Sequence, residues 1–448
     1  MRFGASPSTI ALRHRGGVVG VADLDRRCDA LARRLADHDG IVAVRAAGTP
    51  DTVAVLVAGL RAGRPVALLP ATATPAETAV CRRLLGRAVE VDGQGDVLWS
   101  AGDVPARHHG DAALILFTSG STGVPRAVQI SRRHLDCHVE NVFTTIELAD
   151  ARSMAVFVPL SYAFGVLGQV LPALRFGIEA HLMANVAEAR GVIERGEARG
   201  VWSAVPAQWE GLLRACRPEP ANFAGITHAV SAGAPLFPDL RRRLAERMPA
   251  ATLYNSYGQT EAGPRLLAMN SRDPRFFGSG TGFAVPHAEL SLGPGGELRA
   301  RGPLVMLGYL GEAEHPADGW HDTGDLAQAD GDGLFTLLGR QDDVRKVGGT
   351  RISLIEVDEA LRALPTLADA AADTEEDDVY GARLVAYVVP RASADGPRAG
   401  DLRDALAHTL AWAKVPQRFF ALPALPRTAN GKIRRHALAG QRLEAREL

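Results

Sequence analysis

The chain has 448 residues, more than one hydrophobic core usually supports, so we expect at least two domains. Apolar residues make up 46% of it and charged residues 23%, a composition typical of globular proteins that excludes a largely disordered chain. Fifty basic and 51 acidic residues leave a net charge of -1, so no overall field attracts the protein to nucleic acid or to an anionic membrane.

The cysteines, the apolar stretches and the lysines restrict which kinds of protein and site are possible. The four cysteines lie far apart and have neither the C-x-x-C spacing nor the close histidines of a zinc site. No stretch reaches the ~18 uncharged apolar residues of a membrane span, and no secretory signal is recognisable, so we expect a cytoplasmic protein. Only Lys346, Lys414 and Lys432 are lysines. A codon bias toward arginine would explain why lysine is so rare. Each remaining lysine is nevertheless a candidate for a position where the planar guanidinium of arginine could not replace the ammonium group.

In chain order, the first third of the sequence alternates between helical and strand patterns. Apolar spacing predicts helices at 24–35 and 53–60. Continuous apolar runs predict buried strands at 41–44, 65–69, 112–117 and 154–160. This alternation predicts an α/β fold with layered, mainly parallel sheets.

The pattern changes from residue 277 onward. Short strands at 297–300, 304–310 and 333–338, among dense glycines, predict an antiparallel β subdomain. A polar junction follows residue 339. Beyond it, a helix at 356–364, a strand at 383–389 and a helix at 401–410 predict a small separate α+β domain.

A loop rich in glycine and hydroxyl groups follows the strand at 112–117. It reads F-T-S-G-S-T-G-V-P-R over 117–126 and does not fit the Walker P-loop pattern. Its backbone N–H groups and hydroxyls suit the binding of phosphate oxygens. An ordinary surface turn would explain Gly-Ser-Thr-Gly alone, but the ten-residue string is much more specific. The predicted phosphate-binding residues are Thr118, Ser119, Gly120, Ser121, Thr122 and Gly123.

This string resembles the phosphate-loop signature of the adenylate-forming enzymes, which include acyl-CoA synthetases, adenylation domains of peptide synthetases and luciferases. Further segments resemble that family's later signatures, in the same order. They are S-A-G-A-P-L (231–236), N-x-Y-G-Q-T-E (255–261), R-G-P-L-V-M-L-G-Y (301–309), W-H-D-T-G-D (320–325), the segment 339–358 and L-P-R-T-A-N-G-K-I-R-R (425–435). Collinear matches between residues 118 and 435 argue against chance.

The resemblance implies a nucleotide site. Tyr257 would offer an aromatic face to adenine, Glu261 would hold Mg²⁺ beside the phosphates, and Thr260 would bind the α-phosphate. Taken singly, such residues are more often parts of turns or helix starts. The other residues implied to bind ATP or AMP are Gly233, Ala234, Pro235, Asn255, Gly258, Asp325 and Arg340.

It also implies two domains, a large N-terminal domain over 1–341 and a small mobile lid over 342–448. Asp342 would be the hinge between them, and Lys346 and Gly349 would lie along the passage for a pantetheine arm. Lys432 would be catalytic, stabilising charge as a carboxylate attacks the α-phosphate. Lys414 lies in no motif and is best interpreted as a surface residue.

The acyl pocket is predicted around the turn at 159–165. Tyr162, Phe164, Trp202 and Val205 are its candidate lining, although core packing would equally explain Phe164 and Val205. No charged residue occurs from 156 to 170, where amino-acid-activating relatives place an aspartate, which favours an acid without an amino group. Two residues depart from the family pattern, Arg126 for lysine and Tyr162 for a frequent histidine, and the chain before Thr118 is short for the family.

Together these features predict a two-step ligase. ATP, Mg²⁺ and a small carboxylic acid would give an acyl-adenylate and pyrophosphate. A pantetheine thiol, of CoA or of an acyl or peptidyl carrier protein, would then accept the acyl group. Two alternatives stay open: an amine acceptor, giving an amide, or a catalytically silent nucleotide-binding relative. No nucleic acid or membrane partner is expected.

Overall fold

A computed structural model describes residues 10–101, 108–119, 125–216, 220–316, 318–347, 350–377, 381–391, 396–427, 433–443 and 445–448. The chain divides into two compact units. The first unit comprises 1–291 with 299–321, and the second comprises 292–298 with 322–448. The hinge predicted at Asp342 is a point about which the lid would rotate. A division into compact units does not test such a motion, so the hinge stays a prediction.

The first unit alternates helices and strands through most of its length. Its helices are α1 (Val21–Ala36), α2 (Pro50–Arg61), α3 (Pro75–Leu85), α4 (Arg132–Thr145), α5 (Ala163–Gly165), α6 (Leu171–Phe176), α7 (Val186–Glu194), α8 (Pro206–Ala215) and α9 (Pro238–Arg247). A π-helical segment, Val166–Val170, joins α5 to α6.

The strands of this part of the chain are short. They are β1 (Ile10–His14), β2 (Gly17–Gly20), β3 (Ile41–Arg45), β4 (Val66–Leu69), β5 (Ala88–Val91), β6 (Val97–Ala101), β7 (Ala112–Ser119), β8 (Pro125–Ser131), β9 (Ser153–Val156), β10 (Glu179–Leu182), β11 (Gly200–Ala204), β12 (Ile226–Ser231), β13 (Thr252–Gln259), β14 (Gly263–Asn270), β15 (Phe283–Ala284), β16 (Glu289–Leu292), β17 (Glu297–Arg301) and β18 (Gly308–Tyr309).

Two large sheets organise the first unit. One has seven strands in the order β18-β8-β7-β4-β3-β5-β6, and the other has nine in the order β15-β14-β13-β12-β11-β9-β10-β1-β2. Their central strands pair in parallel, whereas the edges carry antiparallel hairpins. The α/β class predicted from the sequence is therefore confirmed, and the mainly parallel pairing holds for the sheet centres.

The second unit contains two antiparallel hairpins, formed by residues 321–340 and 344–353, and a small sheet. Its elements are β19 (His321–Ala329, whose first residue closes the first unit), β20 (Phe335–Arg340), β21 (Val344–Val347), β22 (Thr350–Ser353), α10 (Leu354–Arg362), β23 (Leu367–Asp377), β24 (Gly381–Pro390), α11 (Ala399–Ala407), β25 (Arg418–Ala421), α12 (Arg435–Leu438) and β26 (Arg446–Glu447). Strands β23 to β26 form a four-stranded sheet, and α10 and α11 contribute Val357, Leu361, Leu402 and Leu406 to its core.

Helix starts follow local sequence signals. At the start of α3, the Thr74 hydroxyl accepts a hydrogen bond from the Glu77 N–H while the Glu77 carboxylate accepts one from the Thr74 N–H, a capping box. At the start of α2, Thr49 caps the Thr52 N–H and Pro50 occupies the first turn. These devices fix where the helices begin without any contribution from the site.

Two strand predictions were wrong in part. In the segment 304–310 only Gly308 and Tyr309 form a strand, and they pair with β8 of the seven-stranded sheet. Leu304 and Val305 instead pack in a buried cluster with Ala262 and Leu266. A continuous run of apolar residues indicates that a segment is buried, but a buried segment need not be a β-strand. For the same reason the run 154–160 is a strand only as far as Val156.

A tight contact between Gly263 and His138 supports the hairpin of β13 and β14. Gly263 has φ +87°, and a Cβ there would lie 1.9 Å from His138 Cε1. We expect Gly263→Ala to lower the free energy of unfolding by about 2–4 kcal/mol, because it combines left-handed strain with overpacking. Urea denaturation of the two proteins measures this.

Gly211→Ala is the matched control. Gly211 lies inside α8, and a Cβ there would meet no heavy atom within 4 Å. Alanine should change stability there by less than about 1 kcal/mol, in the stabilising direction. Equal denaturation midpoints for the two variants would contradict the assigned contact.

Candidate functional site

Three parallel strands bring two of the predicted motifs to one sheet edge. Strands β11, β12 and β13 are neighbours, and their last paired residues align as Ala204 with Ser231 and Ser231 with Asn255. The loops after β11 and β12 therefore leave the sheet side by side, next to Asn255 of β13, which continues to Gln259. Ligands of open α/β sheets bind at such carboxyl ends, where successive loops converge. The loop after β12 carries Gly233, Ala234 and Pro235.

Val205 and Gly233 touch at this edge. Gly233 has φ +84°, which favours glycine, and a Cβ there would lie 3.3 Å from Val205 Cγ1. Gly233 itself is exposed, so its backbone is accessible to a ligand. A predicted acyl-pocket residue thus lies directly against a predicted nucleotide element.

The segment of Asn255 to Gly258 is held by packing as well as by strand pairing. Asn255 is buried and its amide donates a hydrogen bond to the Thr281 carbonyl, at 2.9 Å. Tyr257 is half-buried against the cluster that contains Leu266. A Cβ on Gly258 would lie 2.4 Å from the Gly263 carbonyl oxygen, so close backbone approach requires glycine here before any ligand is considered.

Glu261 lies in the turn after β13 and is anchored from two sides. Its carboxylate Oε1 accepts a hydrogen bond from the Tyr309 hydroxyl at 3.0 Å, and its carbonyl accepts one from the Met306 N–H at 2.8 Å. Thr260 precedes it in the same turn and is half-buried. Within the described chain, no basic side chain makes an ion pair with Glu261, so its carboxylate keeps its capacity for a cation.

Tyr309 links Glu261 to the hairpin that flanks the phosphate loop. The Arg126 guanidinium lies 3.3 Å from the centre of the Tyr309 ring and forms a bidentate ion pair with Glu312. Burial and the Glu261 carboxylate raise the pKa of the Tyr309 hydroxyl, so it stays protonated and donates. Arg126, which replaces the family's lysine, is therefore held by a carboxylate and an aromatic ring.

The phosphate-loop residues are described only at the flanks. Thr118 and Ser119 end β7, and Thr118 pairs with Arg126 across the β7–β8 hairpin. Only the backbone of Ser119 is described. Gly120, Ser121, Thr122 and Gly123 lie outside the described residues.

A magnesium ion fits the Glu261 turn. Mg²⁺ is usually held by one or two carboxylates together with substrate phosphates. In the described ranges, no group of three or more His, Cys, Asp or Glu side chains could hold a metal by itself. Glu261 supplies a single carboxylate close to the phosphate-loop hairpin, which is the donor set that a nucleotide-bound Mg²⁺ needs.

The four acyl-pocket candidates do not all lie together. Phe164 belongs to the core cluster that also contains Val201, and Tyr162 packs against that cluster. Neighbouring residues of a strand point to opposite faces, so Trp202 lies on the other face from Val201. Its ring contacts Phe157 at 5.7 Å between centroids, and it is 1% exposed. The structure therefore does not bring Trp202 to Phe164.

In the second unit, the predicted ribose ligands are neighbours. Asp325 and Arg340 are paired across β19 and β20, with Arg340 Nε 3.5 Å from Asp325 Oδ1. The Asp325 N–H donates to the Thr323 hydroxyl, which in turn donates to the Leu298 carbonyl. The aspartate is thus held by the backbone at the end of the hairpin.

The predicted lid residues are placed unevenly. Asp342 lies in a short turn at Gln341–Asp343, and the structure describes the backbone of Asp342 but not its side chain. Lys346 is exposed on β21, opposite Arg351. Gly349 and Lys432 lie outside the described residues.

Arg435, in the motif of Lys432, is the strongest anchor of the second unit. Its guanidinium contacts the buried carboxylate of Asp358 at 2.6 Å and that of Asp343 at 2.9 Å. We expect Arg435→Met to destabilise this unit by about 3–5 kcal/mol, because the buried Asp358 carboxylate would lose its directly paired guanidinium. Hydrogen exchange of the α10 amides measures the loss locally.

Arg434→Met is the matched control, because Arg434 is the exposed neighbour of Arg435 in the chain. Exchange rates in α10 should stay at the wild-type value in this variant. Equal protection in both variants would contradict the anchoring role.

Sequence reasoning missed Tyr309 and Arg435 as functional residues. Both stand at the end of motifs that the sequence identified, but nothing in those motifs says which side chain meets which carboxylate. Arg126 was noticed only as a departure from the family lysine, and its partners Tyr309 and Glu312 come from a segment far along the chain.

Comparison with known proteins agrees with these motifs. A family model described as AMP-binding enzyme matches residues 85–310, and one described as AMP-binding enzyme C-terminal domain matches residues 356–432. A probable CoA ligase of Humulus lupulus is 32% identical over 357 residues, which cover 73% of this chain and 66% of that protein. Feruloyl-CoA synthase of an Amycolatopsis species is 32% identical, over 72% of this chain and 68% of its own length. The chain thus spans about two thirds of the length of these relatives.

A solved structure shows the same fold. The o-succinylbenzoate CoA synthetase of Bacillus subtilis superposes with a TM-score of 0.81 at 23% identity, covering 97% of this chain and 96% of that one. That enzyme has been solved with its acyl-adenylate intermediate and with ATP and a magnesium ion. No described helix of the present chain is both long and apolar enough to cross a bilayer.

Proposed function

We propose, because the chain belongs to the family of AMP-binding enzymes, that it activates a carboxylic acid with ATP and then passes the acyl group to a thiol. The observation that carries the proposal is the joining of Glu261, Tyr309 and Arg126 at the phosphate-loop hairpin. Arg126 pairs directly with Glu312, so Glu261 has no direct ion pair among the described residues and remains available for the metal of a nucleotide.

The first step is an in-line displacement at phosphorus. A carboxylate oxygen of the acid attacks the α-phosphorus, a new phosphorus–oxygen bond forms, and the bond to pyrophosphate breaks. Glu261 would hold Mg²⁺, which neutralises charge on the phosphate oxygens. Lys432 would stabilise the charge that develops between carboxylate and phosphate, and Thr260 would donate a hydrogen bond to the α-phosphate.

The nucleotide itself would be held by separate groups. The face of Tyr257 and the exposed backbone at Gly233 to Pro235 suit adenine, and Asn255 and Gly258 keep that segment in place. Asp325 accepts hydrogen bonds from ribose hydroxyls, and Arg340 donates to the ribose or the phosphate. The flanks of the phosphate loop, with Thr118, would bind the outgoing pyrophosphate.

In the second step a thiol sulfur attacks the acyl carbon, the carbon–oxygen bond to AMP breaks, and the thiol proton leaves with the product AMP or solvent. The names of the two curated relatives support CoA as the acceptor. Lys346 and Gly349 would line the passage of its pantetheine arm after a rotation at Asp342. A carrier protein is the second candidate for the thiol, and a cytoplasmic location stays a prediction.

Pyrophosphate release from ATP across a panel of carboxylic acids tests the first step. We expect release to depend on the acid and on Mg²⁺, and thioester to form when CoA or a phosphopantetheinylated carrier protein is added. An amine acceptor would show itself as amide product. Nucleotide binding without release for any acid would establish the silent alternative instead.

A further inference from the structure

Arg265 is a buried cation that has no anionic partner among the described residues. It lies on β14, four residues after Glu261, and is 2% exposed. Its Nε and Nη1 atoms have no hydrogen-bond partner among the described residues. Its one ring contact is with Phe164, at 6.0 Å from the ring centre. Burial lowers the pKa of this guanidinium to about 9, so it carries its charge at neutral pH.

A second buried arginine of the same unit, Arg241, shows how a buried guanidinium with a purely structural role is hydrogen-bonded. Arg241 is 3% exposed, and its guanidinium donates to the backbone carbonyls of Leu236, Phe276, Gly278 and Gly280. Those bonds compensate the loss of hydration. Arg265 makes no such bonds to the described residues. An unpaired buried charge costs several kcal/mol, so a hydrophobic residue would stabilise the fold better.

Arg265 lies beside both predicted ligand elements. Its backbone nitrogen would be 2.6 Å from a Cβ on Gly258, the glycine that follows Tyr257. Its side chain reaches the turn of Phe164. A Cβ on Gly168 would lie 3.6 Å from Nη1 of Arg265 and 3.0 Å from the Phe164 ring, so the backbone of Gly168 approaches both side chains closely.

Two further features of that turn point to a ligand. Gly168 lies in the π-helical segment Val166–Val170, and π-helical turns occur frequently at functional sites. Gln169, the next residue, is fully buried and donates to the Ser203 carbonyl, but its amide oxygen has no partner in the described structure. The turn thus contains one unsatisfied acceptor, on Gln169, and the unsatisfied donors of Arg265 lie beside it on β14.

The chemistry of the missing partner follows from the guanidinium. Its planar array of donors matches a carboxylate and binds it in a bidentate way. Among the described residues no carboxylate pairs with Arg265, and none is close enough to affect its pKa, so the compensating anion would have to come from a ligand. A neutral hydroxyl or carbonyl would satisfy one donor but would leave the charge uncompensated.

We propose that the acid activated by this protein is a dicarboxylic acid, and that Arg265 binds the carboxylate that does not react. This inference rests on the proposed function, since it specifies the substrate class of the same site. One carboxylate then attacks the α-phosphate while the other, held by Arg265, orients the molecule. Arg265 is a specificity-determining residue in this account.

Matched acid pairs test the inference. Initial rates of pyrophosphate release are measured with several aliphatic and aromatic dicarboxylic acids and with the monomethyl ester and monoamide of each. We expect kcat/KM to favour the best diacid over its ester and amide by roughly 10- to 100-fold, the value of one charged hydrogen-bonded contact.

Arg265→Met should remove that preference while keeping the fold. Methionine fills similar space without charge, so the thermal midpoint without substrate should equal or exceed that of the wild type. The diacid should raise the thermal midpoint of the wild type and not that of the variant. Arg265→Lys should keep part of the preference, and Arg242→Met, an exposed arginine on α9, should change neither rate nor preference.

Three outcomes separate the proposals. Diacid preference that Arg265→Met abolishes supports the inference. Pyrophosphate release with monocarboxylic acids, with no diacid preferred or with the same preference in Arg265→Met, overturns the inference and leaves the ligase function standing. No release with any acid overturns both.

Discussion

Replacing Lys432 by alanine should reduce the rate of pyrophosphate release by about 100- to 1000-fold, the usual effect of removing one charge-stabilising donor from a transition state. The physical reason is that the ammonium meets charge that develops only as the carboxylate attacks phosphorus. The second half-reaction does not need this group in the same position. Thioester formation from a synthetic acyl-adenylate and CoA should therefore stay near the wild-type rate.

The two other lysines of the chain provide controls of the same residue type. Lys346→Ala should have the opposite profile, with normal pyrophosphate release and slower thioester formation, because the resemblance assigns it to the pantetheine passage. Lys414→Ala should affect neither step, since the Lys414 ammonium is engaged by both carboxylate oxygens of Glu356 at 2.7 Å. Undiminished pyrophosphate release in Lys432→Ala would remove that residue from the mechanism.

The second large effect is expected at Glu261. Glu261→Gln should slow pyrophosphate release by roughly 100-fold or more, because a lost metal ligand forfeits several kcal/mol of charge stabilisation. Glutamine can still accept the hydrogen bond from Tyr309, so the turn should keep its structure. The half-saturating concentration of Mg²⁺ in the release assay should rise together with the loss of rate.

Two further variants test whether the loss of rate in Glu261→Gln results from weaker Mg²⁺ binding. Tyr309→Phe removes only the hydrogen bond to the carboxylate, so we expect a loss of about 5- to 15-fold, as for one hydrogen bond. Glu289→Gln alters an exposed carboxylate that pairs with Arg301 and should be silent. An unchanged Mg²⁺ requirement in Glu261→Gln would mean that another group holds the ion.

The fold class was predictable because it depends on local signals. The alternation of helix and strand in the first unit follows from the spacing of apolar residues, which the strands at 41–45 and 66–69 and the helix at 50–61 reproduce. The segment 304–310 was not predictable in the same way. Leu304 and Val305 are buried because they pack on Ala262 and Leu266 at the β13–β14 hairpin, and sequence periodicity does not report a contact with a distant segment.

The residues of the candidate site likewise fall into those that local motifs identify and those that only long-range contacts identify. Glycines and hydroxyl groups at 118–123, the carboxylate of Glu261 and the ammonium of Lys432 could be named from the sequence, because each belongs to a short motif whose chemistry is local. Their supports could not be named. Tyr309 reaches Glu261 across 48 residues of chain, and Arg435 reaches Asp358 across 77.

The sequence by itself determined the α/β class and the order of the motifs, and it predicted the reaction type that we propose, since hydrophobic periodicity and short motifs are properties of neighbouring residues. Only the tertiary structure separated Trp202 from Phe164, because the two faces of a sheet are distinguished by packing on either side. It alone also revealed that Arg265 is buried with no anionic partner in the part of the chain that the structure describes. Whether a charge is compensated depends on everything folded around it, and that information is spread over the whole chain.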